Sequence, residues 1–171
     1  MDAPPLRIAV TGHRPKDLFG YDRTHEGWGW LRATLRTLVD ELAAGRPVEL
    51  LSGMAQGVDQ EFADMGIMAG YPVAAYVPFD GQEAAWPAPA QALYRRLLRR
   101  CTRVLFISSV RSVASFFRRN ERMVEDSDIV IAVWTGKAEG GTAHCVQAAL
   151  DARRPMVWVD PVQRRLFHVA N

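Results

Sequence analysis

Short apolar runs alternate along the chain with segments whose apolar residues recur at helical spacing, and this alternation constrains the fold more than any other feature. Brief apolar runs are typical of strands that are buried on both faces. Two neighbouring parallel strands must be joined by a crossover connection, which is usually an α-helix. Repeated units of a strand followed by an amphipathic helix therefore indicate a parallel sheet. Strands are predicted at Leu6–Thr11, Val48–Leu51, Val73–Val77, Val104–Ile107, 128–134 and Met156–Val159.

The helices that separate these strands complete the fold prediction. They are expected at 27–44, 56–69, 91–101, 113–125 and 141–152. The pattern predicts an α/β fold, a single Rossmann-like, doubly wound domain whose mostly parallel sheet of about six strands carries helices on both faces. The domain is expected to span residues 1–171, with an N-terminal tail at 1–5 and a C-terminal tail at 160–171.

Composition narrows the class of protein. Hydrophobic residues make up 49% of the chain, charged residues 23%, and the net charge is +2, which is ordinary for a globular protein. No apolar run approaches the roughly 18 residues of a membrane helix, and the first residues lack the features of a signal peptide. The two cysteines and four histidines show no metal-site spacing. We therefore expect a cytoplasmic protein with no membrane partner, metal or cofactor.

Polar residues and glycines follow several of the predicted strands. Because the carboxyl ends of parallel strands meet at one edge of a sheet, and ligands bind there where the strand order reverses, these loops predict a ligand site. The predicted ligand-binding residues are Thr11, Gly12, His13, Arg14, Ser52, Gly53, Gly57, Asp59, Pro78, Arg119, Asn120, Trp134, Gly140, Gly141 and Thr142.

The chemistry of these loops suits phosphate. Main-chain N–H groups beside glycines, together with the hydroxyls of Thr11, Ser52 and Thr142, match phosphate oxygens. Arg14 or Arg119 is expected to add a bidentate contact. The sequence lacks a complete Gly-x-Gly-x-x-Gly after its first strand and lacks a P-loop. Dinucleotide dehydrogenases and P-loop ATPases are therefore disfavoured.

Three of the predicted site residues also have structural interpretations. Asp59 either accepts hydrogen bonds from ribose hydroxyls or only stabilises the first turn of its helix. His13 either contacts the ligand or merely closes its turn. Trp134 either forms a pocket wall or fills the core.

These motifs resemble the SLOG superfamily and, more narrowly, its YpsA-like branch. Its relatives include the "Lonely guy" cytokinin-activating phosphoribohydrolases and DNA-processing protein A. The resemblance covers residues from about 6 to 159 and implies a Rossmann-like fold with a nucleotide-type ligand at this sheet edge. It rests on residues 11–15, Ser52-Gly53 with residues 57–59, Arg119-Asn120, residues 128–133 and residues 139–142.

The resemblance also bears on catalysis. In the phosphoribohydrolases, an arginine before the fifth strand and a glutamate three residues after the Gly-Thr threonine carry the reaction. Arg119 matches the arginine, whereas Cys145 stands at the glutamate position. Cleavage of an N-glycosidic bond needs a carboxylate, which a neutral thiol does not supply. Glu139, Glu121 or Asp59 could replace it, so the catalytic candidates are Arg119, Glu121 and Asp59.

Three functions follow from these observations. The favoured one is binding or sensing of a nucleotide-type small molecule such as AMP, ADP-ribose or an NAD-like compound, without strong catalysis. The alternative is a nucleotide hydrolase of the phosphoribohydrolase type. A DNA-associated role is suggested by arginine clusters at 95–103 and 118–122, but the small net charge disfavours nucleic acid as a partner. The resemblance further implies a homo-oligomer.

Overall fold

The alternating pattern folds into one seven-stranded sheet flanked by helices. The structure, a computed structural model, describes residues 4–169. Its strands are β1 (Leu6–Gly12), β2 (Val48–Ser52), β3 (Val73–Val77), β4 (Arg103–Phe106), β5 (Ile129–Val133), β6 (Met156–Asp160) and β7 (Arg165–Val169). Its α-helices are α1 (Glu26–Ala43), α2 (Val58–Met68), α3 (Ala88–Arg100), α4 (Val113–Asp126) and α5 (Gly141–Asp151). A short 3-10 turn, Pro15–Asp17, follows β1.

The strand order is β4-β3-β2-β1-β5-β6-β7, so the direction of winding reverses between β1 and β5. All neighbours pair in parallel except β6 and β7, which are antiparallel. Ile8 of β1 lies opposite Leu50 of β2 on one side and Ile129 of β5 on the other. The loops after β1 and β5 therefore diverge at the reversal and leave a crevice between them.

Alternate residues of each strand feed two separate cores. On one face, Ile8 and Val10 pack with residues of α1, α2 and α3. On the other face, Ala9 packs with residues of α4 and α5, among them Met123 and Val146. The predicted doubly wound α/β fold is confirmed, because helices cover both faces of a mostly parallel sheet.

The structure departs from the sequence-based boundaries by more than two residues in two places, and other element ends shift by one or two residues. Residues 165–169, expected within the C-terminal tail, form β7, so the sheet has seven strands rather than about six. This edge strand is largely exposed and lacks the buried apolar run that identified the others, although the Phe167 ring packs on Trp158 at 4.9 Å between centroids. Helix α3 starts at Ala88, before the expected residue 91, because prolines are tolerated in a first turn. Residues 1–3 and 170–171 of the predicted tails lie outside the described residues.

Within residues 4–169, no helix is long and apolar enough to cross a membrane. The same part of the chain contains no cluster of three or more His, Cys, Asp or Glu side chains that could hold a metal ion.

Helix α2 approaches β1 so closely that one glycine is required between them. A Cβ atom at Gly12 would lie 2.5 Å from the side chain of Val58. Val58 is fully buried, so its side chain has little room to move. Gly12 therefore sets the position of the start of α2 relative to the crevice.

We expect Gly12→Ala to lower the free energy of unfolding by about 1–3 kcal/mol, because the added methyl overpacks the contact with Val58. Gly29→Ala is the matched control. Gly29 is exposed on α1 and a Cβ there would meet nothing within 4 Å, so this substitution should raise stability by about 0.5–1 kcal/mol. Urea denaturation measures both changes. Equal stability of Gly12→Ala and the unmodified protein would contradict the prediction.

Candidate functional site

A cavity of about 550 Å³ opens at the reversal between β1 and β5, and we call it the switch-point cavity. It lies at the carboxyl edge of the sheet, where the sequence predicted a ligand site. Ten of the predicted ligand-binding residues line it: Thr11, Gly12, His13, Arg14, Asp59, Arg119, Asn120, Gly140, Gly141 and Thr142.

One wall of the cavity is the start of helix α5. Gly140 has φ = 97°, a conformation that a side chain would strain, and it directs the chain into the helix. A Cβ at Gly141 would meet no protein atom within 4 Å, so internal packing does not require glycine there. The free N–H groups of a helix start carry partial positive charge and favour anions. This wall is suited to a phosphate or carboxylate group.

A second wall of the cavity is apolar and is formed by one side of helix α4. Val113, Phe116, Phe117 and Met123 contribute to the cavity lining. Val113 is 70% exposed and Phe117 is 38% exposed, although both are large apolar side chains. Phe117 stacks on the ring of His144, with 4.2 Å between centroids. The cavity thus combines an anion-binding wall with a surface on which a planar ring can pack.

Beneath these walls, the buried side chain of Arg119 connects three parts of the fold. Its Nη1 donates to the Gly53 carbonyl after β2 and, at 3.4 Å, to the Tyr76 carbonyl of β3. Its Nε donates to Asn120 Oδ1 at 2.9 Å, and Asn120 Nδ2 in turn donates to the Gly141 carbonyl of α5 at 3.2 Å. The pair Arg119-Asn120 therefore holds α4, α5 and the ends of β2 and β3 in one arrangement.

Asp59 faces Arg119 across the backbone of Gly53. A Cβ at Gly53 would lie 2.4 Å from Arg119 Nη1 and 2.7 Å from Asp59 Oδ2, so only glycine leaves room for both side chains. Burial raises the pKa of the Asp59 carboxyl to about 6, opposed by the charge of Arg119 and by the N–H of Ala55. Burial likewise lowers the pKa of the Arg119 guanidinium, opposed by Asp59.

Cys145 lies behind the cavity lining, near Asp59 and Arg119, and we call these three buried side chains the buried floor. Its thiol is fully buried, and burial raises its pKa to about 11, opposed by Thr11 and Arg119. At neutral pH this side chain is therefore an uncharged thiol. It therefore supplies no carboxylate at the position where the resemblance to the phosphoribohydrolases predicts a glutamate.

His13 is fixed as a neutral side chain by the loop after β5. Its Nε2 accepts a hydrogen bond from the main-chain N–H of Thr135 at 3.0 Å, so the ring proton lies on Nδ1. Burial is the main cause that lowers the pKa of His13, with a contribution from Lys137, whereas Asp17 opposes the shift. His13 therefore joins the loops after β1 and β5 as well as lining the cavity.

Other residues that the sequence predicted for the site lie outside the cavity lining, where they support the loops. Ser52 Oγ donates to the Asp59 carbonyl at 2.7 Å and accepts from the Met54 N–H at 3.2 Å. Gly57 has φ = 98°, and a Cβ there would lie 2.6 Å from the His13 carbonyl oxygen. These residues position the loop after β2 rather than presenting groups to the cavity.

Pro78, Trp134 and Glu121 lie further from the cavity. Pro78 accepts a hydrogen bond from Ser108 through its carbonyl. Trp134 Nε1 donates to the Lys137 carbonyl at 2.9 Å, so it shapes the loop that carries Lys137. The Glu121 side chain is 55% exposed and lies 3.6 Å from His144 Nε2, in the lining of a different cavity.

The prediction from sequence missed several residues that line the cavity, and the two lysines are the most informative of them. Lys16 and Lys137 are the only lysines among the 21 basic residues of the chain, and both line it. They follow β1 and β5, the two strands that flank the reversal. The rarity of lysine was a signal in the sequence that pointed to these loops. Asp17, Phe116 and Phe117 were missed as well.

Comparison with known protein families gives a match over most of the chain. A family model described as the YspA SLOG family matches residues 8–158. Among curated proteins, a UPF0398 protein of Bacillus cereus (strain G9842) is 29% identical over 150 residues, which cover 83% of this chain and 81% of the relative.

Solved structures of DNA processing protein A share the fold. The protein from Streptococcus pneumoniae superposes with a TM-score of 0.65 at 18% identity, over 91% of this chain but only 50% of that protein. The protein from Helicobacter pylori, described for its single-stranded DNA binding mode, gives a TM-score of 0.63 at 18% identity over 97% of this chain and 69% of that one. At this level of identity the likeness concerns the fold alone.

The burial of Asp59 leads to a titration that can be measured. We expect its carboxyl to titrate near pH 6 in the folded protein, above the ordinary value of 3.8. Because the folded state holds this proton more tightly, the contribution to stability is full below about pH 3.8 and is lost as the pH rises through about 6. Carbon-detected NMR of labelled aspartate, assigned with Asp59→Asn, measures the midpoint. A midpoint at or below the ordinary value would refute the prediction.

Proposed function

Because the chain belongs to the YspA SLOG family, we propose that it binds a nucleotide or nucleotide-derived ligand in the switch-point cavity, as a sensor or binding protein. The observation that carries the proposal is the division of this cavity into an anion-binding wall at α5 and an apolar wall at α4. A nucleotide has the same division, with charged phosphate at one end and a planar base at the other.

The phosphate is proposed to lie against the start of α5. There Gly141 and Thr142 line the cavity, and the exposed Lys137 and Lys16 line it as well. Charge-assisted hydrogen bonds from such donors contribute about 1.5–3 kcal/mol each. Arg14, which also lines the cavity and is exposed, adds a third mobile cation. Arg119 is less available, because its guanidinium already bonds to main-chain carbonyls.

The base is proposed to pack on α4. Phe117 and Val113 supply exposed apolar surface, and Phe116 adds a second ring beside them. The Asp59 carboxyl, which also lines the cavity, is proposed to accept hydrogen bonds from ribose hydroxyls. The same arrangement accommodates AMP, ADP-ribose or an NAD-like compound, since each contains a phosphate next to an adenosine.

Binding without strong catalysis is favoured by the buried floor. Hydrolysis of an N-glycosidic bond needs a carboxylate at the reacting carbon, and the position that holds it in the phosphoribohydrolases is the uncharged thiol of Cys145. We therefore propose a site that binds a nucleotide but lacks the carboxylate that hydrolysis would need at position 145.

Isothermal titration of AMP, ADP-ribose and NAD into the protein tests the proposal. We expect at least one of them to bind with one molecule per chain, and Lys137→Ala to weaken that binding about tenfold, the effect of roughly 1.5 kcal/mol from one lost charged contact. Arg96→Ala is the matched control, because Arg96 is exposed on α3 and does not line the cavity. Absence of binding by all three at millimolar concentration, or an equal loss in both variants, would contradict the proposal.

A second candidate function, nucleotide hydrolysis, is favoured by one observation: the cavity does contain a carboxyl, that of Asp59. In this reaction the oxygen of water bonds to the anomeric carbon, the bond from that carbon to the base breaks, and the water proton passes through Asp59 to the base. We expect any release of base from AMP, followed by chromatography, to be abolished in Asp59→Asn and retained in Glu121→Gln. Release at the rate of a protein-free blank would rule out this function.

Single-stranded DNA is included as a competitor in the titrations, because a structural neighbour is described as binding it. Several arginines of the clusters here are paired with carboxylates: Arg95 with Glu83, and Arg122 with Asp126. Displacement of a bound nucleotide by an oligonucleotide would indicate a shared site. Binding of DNA alone, with no small nucleotide bound, would contradict the main proposal.

A further inference from the structure

A second cavity, of about 290 Å³, lies against the same loops that form the switch-point cavity, and we call it the rear cavity. Neighbouring residues of these loops line the two spaces: Lys16 and Ala55 face the switch-point cavity, whereas Pro15 and Gln56 face the rear cavity. The rear cavity is enclosed by the starts of α1, α2 and α3. It is therefore separate from the site described above.

The walls of the rear cavity are mainly apolar and flat. Trp28 of α1 is only 1% exposed, and its Nε1 is already bonded to the Gly20 carbonyl at 2.9 Å. Pro87, Pro89 and Leu93 form the side contributed by α3. Trp28 therefore closes the base of the cavity, whereas the proline rings and Leu93 offer the apolar surface against which a planar ligand can pack.

The two charged residues in the lining of the rear cavity, Arg23 and Glu61, belong to a network whose charges neutralise one another. Glu61 has a side chain only 4% exposed, and it accepts from Arg23 Nε at 2.6 Å and from Arg32 Nη1 at 2.8 Å. Arg23 also bonds to Asp64 at 2.7 Å. Two guanidinium groups thus face two carboxylates, and the net charge of the group is zero. A phosphate or carboxylate ligand would have to break this network.

One accessible polar atom in the lining of the rear cavity accepts no hydrogen bond from the described residues. Gln60 is 3% exposed, and its Nε2 donates to the Met54 carbonyl at 3.2 Å. Its Oε1 accepts no hydrogen bond from any residue between 4 and 169. A ligand N–H at this point would take the place of water on this acceptor. Gln56, half-buried in the same lining, offers a second amide.

From these four observations we propose that the rear cavity binds a small, uncharged heteroaromatic molecule that carries an N–H donor, of the size of a free nucleobase or of nicotinamide. The ring packs against Leu93 and the prolines at the start of α3, and its N–H donates to Gln60 Oε1. The volume of about 290 Å³ lies just below the range for sites of drug-sized ligands, which starts at about 300 Å³, and suits a smaller molecule. The inference does not depend on nucleotide binding in the switch-point cavity.

Saturation-transfer NMR with nicotinamide, nicotinate, adenine and cytosine tests the inference. Nicotinamide and nicotinate share one ring, but only nicotinamide is uncharged and has an amide N–H. We expect an uncharged member of the panel to bind saturably and nicotinate to fail. Ala90→Phe, which places a ring in the rear cavity, should weaken binding by more than about tenfold. Ala92→Phe, on the exposed side of the same helix, should leave it unchanged.

Two further variants separate this site from the switch-point cavity. Gln60→Met removes the amide acceptor at similar volume and should weaken binding, with thermal unfolding used to show that the protein remains folded. Lys137→Ala should have no effect here, although it is expected to weaken nucleotide binding. Failure of all uncharged compounds to bind at millimolar concentration would overturn the inference. Binding that persists in Ala90→Phe and is lost in Lys137→Ala would overturn it equally.

Discussion

The buried guanidinium of Arg119 is the point on which the open edge of this sheet depends. From α4 it reaches the carbonyls at the ends of β2 and β3, while the adjacent Asn120 holds the first residue of α5. Buried main-chain carbonyls at a strand end need hydrogen-bond donors, and here a side chain of α4 supplies them. Helices α4 and α5 are thereby tied to the loop after β2 and to the end of β3. The shape of the switch-point cavity follows from this connection.

A single physical cause accounts for the electrostatics of the cavity floor. Burial raises the pKa of Asp59, lowers that of Arg119 and raises that of Cys145, in each case favouring the uncharged form. The rim is different, because Arg14, Lys16 and Lys137 are exposed and remain hydrated. Electrostatic interactions are stronger at the buried floor than at the solvent-exposed rim. The floor therefore fixes geometry, whereas the rim offers adjustable charge to an incoming anion.

Much of the fold was predictable because each parallel strand is buried and reads as an apolar run, and the convergence of the strand ends followed from topology alone. Strand β7 was missed since it is an exposed edge strand with a mixed sequence. The site was harder to predict, because glycines have different structural roles that the sequence alone does not distinguish. Gly12 admits Val58 and Gly53 admits Arg119 with Asp59, whereas a Cβ at Gly141 meets no protein atom. Side-chain direction was likewise hidden: the Ser52 hydroxyl points to a main-chain carbonyl rather than to the cavity.

The scarcity of lysine has a practical consequence for handling this protein. Both ε-amino groups of the chain lie at the mouth of one cavity, since arginine supplies every other basic side chain. Reagents that acylate amines, and any cellular acetylation of lysine, would act at that mouth and hardly elsewhere apart from an α-amino group. Coupling to an amine-reactive surface would orient the molecules with this cavity against the support. Attachment through an affinity tag avoids that occlusion, and selective acylation becomes a way to close the cavity without any mutation.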